Sequence, residues 1–547
     1  MKNVFIFLKN YIKNYKFSFG IYLGLCFLYS VLSLLSPYVS GNFIDALLKM
    51  ETYKPLVRYC ILFGSISIVI VVINYTVNQL FTHLRINISY KINMKLLNHM
   101  RKVSILYMQK YTAVSVTQKI NYDSNSITTF GLQTAQNILI NIMTLTLPLG
   151  ALFRFNVKIG IILMLLIAVY LVTYIGFRKP LYAYSKDTRE KETIYFNELY
   201  NQFGYMKFIK TNVVQHLFDA LLHDTYIKLL RSSMNTQKIA YIFASLDKII
   251  MMIAQIALFG IGGIQVINGE LTIGRFTIIS TYFNMIMGSV RYFFGLGKTV
   301  QEIQVSLKRL CDLLDIPEEK YGVQTADAIN MLEIKLLNFH IGGKDIITNF
   351  TAKFEKGNIY SIIGRNGSGK STLVNILTGM YWLPGEKIYL NQSPLQQYDL
   401  NQIRHDKMGV LEQEPVLIED TMKKNIFLEG DDLSKSEKFQ MLCKILNIDT
   451  FFEKLPNGLN TIVNEKAMNI SGGEKQKIAL LRVLMKDADI LVLDEPTSAM
   501  DINSREEFYS YLNNIKKDKI IILVNHDREI KDKVDYIIDL SDNKKNF

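Results

Sequence analysis

Long apolar runs separated by basic loops dominate the first half of the chain. Residues 17–36 contain no charged residue, and five later segments carry few charges or none. An α-helix rises 1.5 Å per residue, so about 20 apolar residues cross a hydrocarbon core of roughly 30 Å. The pattern predicts six membrane-spanning helices, at about Phe17–Ser36, Tyr59–Leu80, Phe130–Phe153, Ile159–Phe177, Ile239–Val266 and Phe276–Leu296.

The basic residues predict how these helices are oriented. Residues 1–16 carry four lysines and no acid, residues 82–127 carry seven Lys or Arg and one acid, and the turn at 268–272 has Glu270 and no base. An excess of Lys and Arg marks the cytoplasmic side. Both termini are therefore expected to be cytoplasmic. Loop four, at about 178–238, is expected to extend its helices into the cytosol.

The pattern changes after the sixth span. Residues 301–315 continue as a helix that Pro317 ends, because the residue before a proline disfavours the helical region. Residues 316–330 are polar and predict a linker. Short apolar runs then alternate with short helical patterns, which is typical of an α/β domain. We expect a transmembrane domain over 1–315, the linker over 316–330 and an α/β domain over 331–547.

Composition and charge agree with this division. Apolar residues make up 49% and charged residues 20% of the 547 residues, which excludes a disordered chain. The net charge of +13 would suggest nucleic acid, but residues 1–310 hold 32 basic residues against 12 acidic ones, and the rest holds 30 against 37. The excess belongs to the membrane half, so no nucleic-acid partner is expected. The four cysteines are scattered, which argues against a disulfide framework or a zinc site.

A phosphate-binding loop follows an apolar, β-prone run at 359–363. The segment Gly364–Thr372 has the pattern GxxxxGK[ST] between a predicted strand and a predicted helix. Its amides and the helix N-terminus favour a bound phosphate. Lys370 should reach the β- and γ-phosphates of ATP, and the Ser371 hydroxyl should ligate Mg²⁺. The expected phosphate-binding residues are Gly364, Arg365, Asn366, Gly367, Ser368, Gly369, Lys370, Ser371 and Thr372.

Two adjacent acids end a second apolar run at 490–493. Asp494 could hold Mg²⁺, and Glu495 could polarise a water for attack on the γ-phosphate. Alone, such a pair is more typical of a solvated turn. Behind a phosphate-binding loop, the catalytic interpretation is favoured.

A third motif, Ser471-Gly472-Gly473-Glu474, precedes an apolar-periodic helix. It could be an ordinary helix cap with Ser471. Two glycines in a first turn are costly for a cap, however, and suit a backbone anion site.

In this order the motifs resemble those of the ABC transporter family. Gln413 resembles the Q-loop glutamine, Ile470–Glu474 the signature, Ser498–Asp501 the D-loop and His526 the switch histidine. The resemblance implies a helical polytopic membrane domain with six spans followed by an α/β P-loop NTPase cassette. It implies catalytic roles for Glu495, His526 and Gln413, Mg²⁺ bound by Ser371, Gln413 and Asp494, and phosphate contacts from Ser471, Gly472 and Gly473.

Six spans fused ahead of one cassette resemble an ABC exporter half-transporter. The resemblance implies ATP-driven export of a peptide, lipid or drug-like compound by alternating access. It also implies a dimer in the cytoplasmic membrane with two ATP sites between the cassettes. The abundance of Lys, Asn, Ile and Tyr separately suggests a bacterial source. A homodimer is the economical expectation, a heterodimer the alternative, and a nucleotide-gated regulator the rival function. Coupling helices are expected at Gln118–Ile127 and near Lys210–Leu217, and Thr461–Glu465 resembles the exporter X-loop.

Departures from the family pattern occur at the base site, the signature and the X-loop. Ile341 occupies the slot of the aromatic residue that stacks on adenine, which leaves His340, Phe339 or aliphatic surface as its support. Glu474 replaces the signature glutamine and adds a negative charge near bound phosphate. Ala467 stands where the X-loop often has glycine.

Arg291 interrupts the sixth span. A charge in the hydrocarbon core is costly unless it is paired or hydrated. Helix rise places Asp247 of span five at a similar depth. Arg291 could pair with Asp247, face a hydrated cavity or snorkel to the headgroups.

Overall fold

The computed structural model describes residues 2–48, 54–109, 116–117, 119–319, 322–341, 343–381, 383, 385–428, 434–464, 470–525 and 528–540. Two compact units divide the chain. Unit 1 comprises Met1–Asn98 and Ala113–Asp315, and unit 2 comprises His99–Thr112 and Ile316–Phe547.

Unit 1 is helical. Each predicted span lies inside one long helix, and the predicted extensions of loop four are also helical. The helices are α1 (Lys2–Ile12), α2 (Lys16–Leu47), α3 (Lys54–Met100), α5 (Ser124–Phe155, preceded by a π-helical turn at Lys119–Asp123), α6 (Val157–Gly204), α7 (Met206–Asn212), α8 (Gln215–Ile267) and α9 (Ile273–Leu314). The short helix α4 (Ile105–Met108) belongs to unit 2.

Within the described residues, 5 helical segments are long and apolar enough to cross a membrane. They are Lys2–Leu47, Leu56–Met100, Lys119–Phe155, Val157–Gly204 and Gln215–Ile267. Helix α9, which holds the sixth predicted span, is long enough but carries more polar side chains, Asn284 among them. Its apolar side chains, including Phe283 and Met287, are buried. A helix that packs its apolar face against α2 and α5 presents less of that face to lipid, which explains its lower hydropathy.

Among the described residues, three ion pairs join helices of unit 1, and one of them links Arg189 Nη2 of α6 to Glu302 Oε1 of α9 at 2.5 Å. Arg309 Nε and Nη2 donate to the two carboxylate oxygens of Asp123 at 2.8 and 2.6 Å, and the Asp123 side chain is 1% exposed. Arg291 Nε donates to Asp247 Oδ1 at 3.0 Å, which bridges α9 and α8. The structure therefore favours pairing for Arg291 among the three alternatives.

Unit 2 contains an antiparallel and a parallel sheet. The antiparallel order is β2-β1-β4-β5, and the parallel order is β6-β7-β8-β3-β9. The strands are β1 (Met331–Ile341), β2 (Lys344–Glu355), β3 (Ile359–Ile363), β4 (Ile388–Leu390), β5 (Ser393–Pro394), β6 (Met408–Leu411), β7 (Ile490–Asp494), β8 (Ile520–Val524) and β9 (Tyr536–Asp539).

Helices surround the parallel sheet and complete the core. They are α10 (Lys370–Leu377), α11 (Leu400–Gln402), α12 (Met422–Phe427), α13 (Glu437–Ile445), α14 (Asp449–Lys454), α15 (Gly472–Met485) and α16 (Ile502–Ile515). β3, β7 and β8 are fully buried, as the continuous apolar runs predict for parallel strands covered on both faces.

The segment after α3 folds with unit 2. His99 Nδ1 lies 2.8 Å from Glu318 Oε1, and this hydrogen bond holds the pKa of the Glu318 carboxyl below its usual value. Ser104 Oγ donates to the Met380 carbonyl at 3.1 Å, and Gln109 Nε2 donates to the Tyr381 hydroxyl at 2.6 Å. The expectation of a first coupling helix at 118–127 is therefore corrected. The preceding segment, His99–Thr112, belongs to unit 2, whereas Asp123 is buried in unit 1.

Candidate active site

Parallel strands of unit 2 bring the predicted site residues to one edge of the sheet. β3 leads into Gly364, β6 is followed by Gln413 after one further residue, β7 ends at Asp494 and β8 is followed by Asn525. In a parallel sheet the carboxyl ends of the strands share an edge, where ligands bind. β8 lies between β7 and β3, so Asn525 stands between the acid pair and the phosphate-binding loop.

The loop Gly364–Gly369 turns sharply between β3 and α10. Gly367 and Gly369 have φ of 81° and 94°, a region that favours glycine. A Cβ on Gly364 would lie 2.5 Å from Ser368 Oγ, so the loop folds back on itself. The glycines are thus required by the backbone path of the loop.

Lys370 begins α10 and lies over this loop. Its side chain is buried, and Nζ donates to the Gly364 carbonyl at 2.7 Å and to the Arg365 carbonyl at 3.2 Å. Ser371, one residue further, is exposed on the first turn. Ser368 Oγ is buried and has no hydrogen-bond partner among the described residues. A buried hydroxyl without a partner is costly, so this loop suits a ligand rich in oxygen.

The acid pair Asp494 and Glu495 lies at the end of β7, and hydrogen bonds from neighbouring residues fix the backbone of Glu495. Asp494 is 6% exposed at the end of β7. Glu495 has a φ of 48°, which is uncommon outside glycine and costs of order 1–3 kcal/mol. Its N–H donates to the Val524 carbonyl at 2.9 Å, and its carbonyl accepts from Ser498 Oγ at 3.0 Å. Gln413 Nε2 donates to Glu495 Oε1 at 3.4 Å, so the structure brings together two residues predicted to be catalytic.

The segment after Glu495 is fixed as well. Asp501 caps α16 by accepting from the Ser504 N–H at 2.9 Å. This hydrogen bond holds the pKa of the Asp501 carboxyl below its usual value. Asn447 Nδ2 donates to the same carboxylate at 3.4 Å. The predicted D-loop is therefore anchored at both of its ends.

The signature motif begins α15 with a capping box. Glu474 N donates to Ser471 Oγ at 3.3 Å, and Ser471 N donates to Glu474 Oε2 at 2.8 Å. Ser471 Oγ also donates to that carboxylate oxygen at 2.7 Å. Ser471 is therefore the N-cap of α15, and the charge of Glu474 is shared with two donors; the phosphate-binding role of the motif stays a prediction. A cleft of about 310 Å³ opens beside Ser471 and Gly473 and is flanked by Lys454 and Lys477.

The side chains at the end of β1 differ in whether they could contact the adenine base of ATP. Phe339 is buried and stacks on Tyr381 with ring centroids 5.6 Å apart, so it is unavailable to a ligand. His340 is exposed on the other face of the strand and pairs with Asp345. Ile341 is half-buried against the core of the cassette.

The β1–β2 hairpin borders the phosphate-binding loop. A Cβ on Gly369 would lie 3.1 Å from Ile346 Cγ2 and 3.4 Å from Ile347 Cγ1. Ile346 and Ile341 are both half-buried, so the hairpin offers aliphatic surface beside this loop.

Two polar residues of the site were not predicted from the sequence. Asn525 is 5% exposed, and its Nδ2 lacks a partner among the described residues. Gln476 Nε2 donates to the Glu495 carbonyl at 3.5 Å. A polar residue directly after a buried run was the available signal for Asn525. The predicted site residue His526 and the X-loop positions Glu465 and Ala467 lie outside the described residues.

Family comparisons account for both units. The model of the ABC transporter transmembrane region matches residues 19–290, and the ABC transporter model matches residues 347–498. The chain belongs to the ABC transporter family. It is a half-transporter of the exporter type, in which a multi-pass membrane region precedes an ATP-binding cassette, and it couples ATP hydrolysis to export.

Relatives of this exporter include lipid and multidrug transporters. An ATP-dependent lipid A-core flippase of Vibrio vulnificus (strain YJ016) is 26% identical over 467 residues, covering 83% of this chain and 79% of the relative. A putative multidrug export ATP-binding/permease protein of Staphylococcus aureus (strain bovine RF122 / ET3-1) is 24% identical over 452 residues, covering 80% and 77%.

A solved structure shares the fold. It is described as a bacterial Atm1-family ABC exporter with ATP bound. It is 19% identical to this chain with a TM-score of 0.79, covering 96% of this chain and 93% of that one.

Proposed function

We propose that this exporter moves an amphipathic compound across a bacterial cytoplasmic membrane by alternating access, as a dimer with two ATP sites between the cassettes. We propose the organisation 1–315, 316–330 and 331–547 for its membrane domain, linker and cassette, with both termini cytoplasmic. The catalytic part of the proposal rests chiefly on Glu495, because its strained backbone is fixed by several hydrogen bonds and its carboxylate meets Gln413.

The donor set of the site fits Mg²⁺. Ser371, Gln413 and Asp494 offer hydroxyl, amide and carboxylate oxygens, which this hard cation prefers. Among the described residues, no group of three or more His, Cys, Asp or Glu side chains could hold a metal ion. This agrees with an ion that is held by few protein ligands together with substrate phosphates. Bound there, Mg²⁺ would neutralise charge on the β- and γ-phosphates.

The residues around ATP would then have separate roles in phosphate binding and in catalysis. Lys370 and the amides of Gly364–Gly369 bind the phosphates, and the buried Ser368 hydroxyl gains a partner. Glu495 accepts a proton from the attacking water, which Gln413 and His526 help to position. Ser471, Gly472 and Gly473 would contact the γ-phosphate held by the partner cassette.

Exposed apolar side chains support a second copy of this chain. Tyr205, Phe208 and Val213 are 53%, 55% and 73% exposed at the turn that joins α6, α7 and α8, a region predicted to be cytoplasmic. Apolar surface clustered in water marks an interaction site. The turn overlaps the predicted coupling segment 210–217, and we propose that it docks on the cassette of the partner. An identical partner is the economical choice, and a heterodimer is the alternative.

The test is transport by the purified chain in liposomes. Inside-out vesicles would be supplied with ATP and Mg²⁺ and screened with lipid, peptide and drug panels for uptake and for stimulated ATP hydrolysis. We expect at least one amphipathic compound to stimulate hydrolysis and to accumulate, and both effects to vanish with Glu495→Gln. ATP hydrolysis that no accumulated compound accompanies, across all panels, would favour a nucleotide-gated regulator.

A further inference from the structure

The side chain of Asn525 is a buried polar group at the carboxyl edge of the parallel sheet. Asn525 directly follows β8 and is 5% exposed. Its Nδ2 has no hydrogen-bond partner among the described residues. A buried donor without a partner is costly. An apolar side chain at this place would avoid that cost, so folding alone does not account for the asparagine.

The backbone ties Asn525 to both parts of the ATP site. Its N–H donates to the Ile362 carbonyl of β3 at 3.1 Å, and β3 leads into the phosphate-binding loop. The carbonyl of the preceding residue, Val524, accepts from the Glu495 N–H at 2.9 Å. A single peptide group, between Val524 and Asn525, is therefore bonded to β3 through its N–H and to Glu495 through its carbonyl.

Alternation along β8 gives the face on which the Asn525 side chain lies. Leu523 packs in the apolar core that includes α15, whereas Val524 packs in the core on the other face of the sheet. Residues two apart in a strand share a face, so Asn525 lies on the α15 face. From this face Gln476 Nε2 of α15 donates to the Glu495 carbonyl. The side-chain amides of Gln476 and Asn525 thus lie on the same face, next to Glu495.

Beyond its N–H, Glu495 accepts hydrogen bonds that are long or come from its own turn, among the described residues. The Glu495 carbonyl accepts from Ser498 Oγ at 3.0 Å, within the turn 495–498, and from Gln476 Nε2 at 3.5 Å. Its carboxylate accepts from Gln413 Nε2 at 3.4 Å. A φ of 48° is strained and persists only where the surroundings hold it. A further donor from the neighbouring strand would hold Glu495 more firmly.

We propose that Asn525 is a positioning residue of the ATP site, whose Nδ2 donates to the turn 495–498 when ATP is bound. Held in this way, the Glu495 carboxylate stays in line with the water from which it takes a proton. This role rests on the proposed function, in which Glu495 is the general base. Because the amide gains its partner only in the ATP-bound state, the new hydrogen bond stabilises that state relative to the nucleotide-free one.

Asn525→Leu in the full chain, purified and placed in liposomes, tests the role. Phosphate release should show kcat lowered about tenfold or more and KM for ATP within twofold of the parent, because the phosphate contacts are kept. The unfolding temperature of the nucleotide-free protein should stay equal or rise, since no hydrogen bond is lost there. A lower unfolding temperature with a parallel loss of kcat would indicate a structural role and overturn the proposal. If leucine prevents folding, the kcat of the smaller Asn525→Ala decides in its place.

Ser361→Ala is the matched control. Ser361 lies in β3 beside Leu523, is 0% exposed, and its Oγ has no partner among the described residues. The substitution therefore removes a buried, unpartnered polar atom from the same sheet, away from Glu495. Both kcat and KM should match the parent. An equal fall of kcat in Ser361→Ala and Asn525→Leu would mean that any loss of buried polarity in the sheet impairs hydrolysis, and the proposal would fail.

A double-mutant cycle shows whether Asn525 acts through Glu495. In a Glu495→Gln background, Asn525→Leu should change the residual turnover by no more than about twofold, because the base that it positions is already lost. A further fall as large as that seen in the parent would overturn the proposal. Parental turnover in Asn525→Leu, with Glu495→Gln inactive, would overturn this proposal alone. Near-parental turnover in Glu495→Gln would contradict the proposed base and this role together.

Discussion

At the scale of single residues, Glu495 combines a strained backbone with a carboxylate that could act as a general base. Its left-handed backbone would relax if the surrounding hydrogen bonds were absent, and those bonds come from β8 and from Ser498. These hydrogen bonds thus hold the Glu495 carboxylate at the carboxyl edge of the parallel sheet, next to Gln413. A side chain positioned in this way is suited to act as a general base.

Glu495→Gln should keep ATP binding and lower turnover by roughly 10²-fold or more, because the amide cannot accept a proton. Binding is measured by fluorescence titration and turnover by phosphate release. Glu437→Gln, an exposed acid in the first turn of α13, is the control and should match the parent. Near-normal turnover in Glu495→Gln would mean that another residue is the base.

The replacement of an aromatic residue by Ile341 can be tested in the same way. Ile341→Tyr should tighten ATP binding several-fold, since a stacked ring contributes about 1 kcal/mol. His340→Tyr places the ring on the opposite face of β1 and should leave the affinity unchanged. Tighter binding in His340→Tyr alone would show that the base lies against that face.

At the scale of elements, the sequence predicted what depends on local pattern. Each span lies in one helix because twenty apolar residues in a row have few alternatives. The first coupling helix was predicted around Asp123 from the family resemblance, but Asp123 is buried in unit 1. Its burial depends on Arg309, which is distant in sequence and pairs with it only after folding. Such long-range pairing leaves no periodic signal.

The ion pair between α8 and α9 is a second case. Helix rise predicted a shared depth for Arg291 and Asp247, but the rotation of each helix decides whether they meet. In the structure they do, and the side chains are 38% and 18% exposed. Removal of one partner leaves the other charge in an apolar setting, which costs more than removal of both.

Arg291→Ala should therefore lower the thermal unfolding temperature of the purified protein, and Arg291→Ala with Asp247→Ala should restore part of the loss. Lys248→Ala changes the neighbouring, exposed charge on α8 and serves as the control. If all of these variants unfold at the parental temperature, the pair does not stabilise the membrane unit.

At the scale of the whole molecule, the place of the candidate ATP site in the fold was largely predictable, because its motifs are continuous and each follows a strand or precedes a helix. Asn525 was missed because its importance comes from the strand order, which places β8 between β7 and β3. The capping box of Glu474 was missed because the family resemblance drew attention to its charge instead of its hydrogen bonds. The strand order cannot be derived from local pattern, whereas the spacing of Ser471 and Glu474 before an apolar run is the local pattern of a capping box.

The proposed dimer can be tested at the level of the whole molecule, because each ATP site would need residues from both copies. If ATP lies between the loop of one copy and the signature of the other, damage to the two motifs should complement between chains. Lys370→Ala removes a charge that binds phosphate. Gly473→Asp adds an acid to the anion site, yet an acid in the first turn favours the helix. Each variant alone should be nearly inactive in ATP hydrolysis.

Mixed in equal amounts before reconstitution, the two variants should recover about a quarter of the parental turnover, because half of the dimers are mixed and each mixed dimer keeps one intact site. The control carries both substitutions in one chain and is mixed with the parent. There the mixed dimer keeps no intact site, so the activity should equal that of the remaining parental dimers, again about a quarter, and the added chain should contribute nothing. The decisive comparison is therefore the mixture of two inactive variants. If that mixture stays inactive although the chains are shown to associate, the signature of one copy does not complete the ATP site of the other.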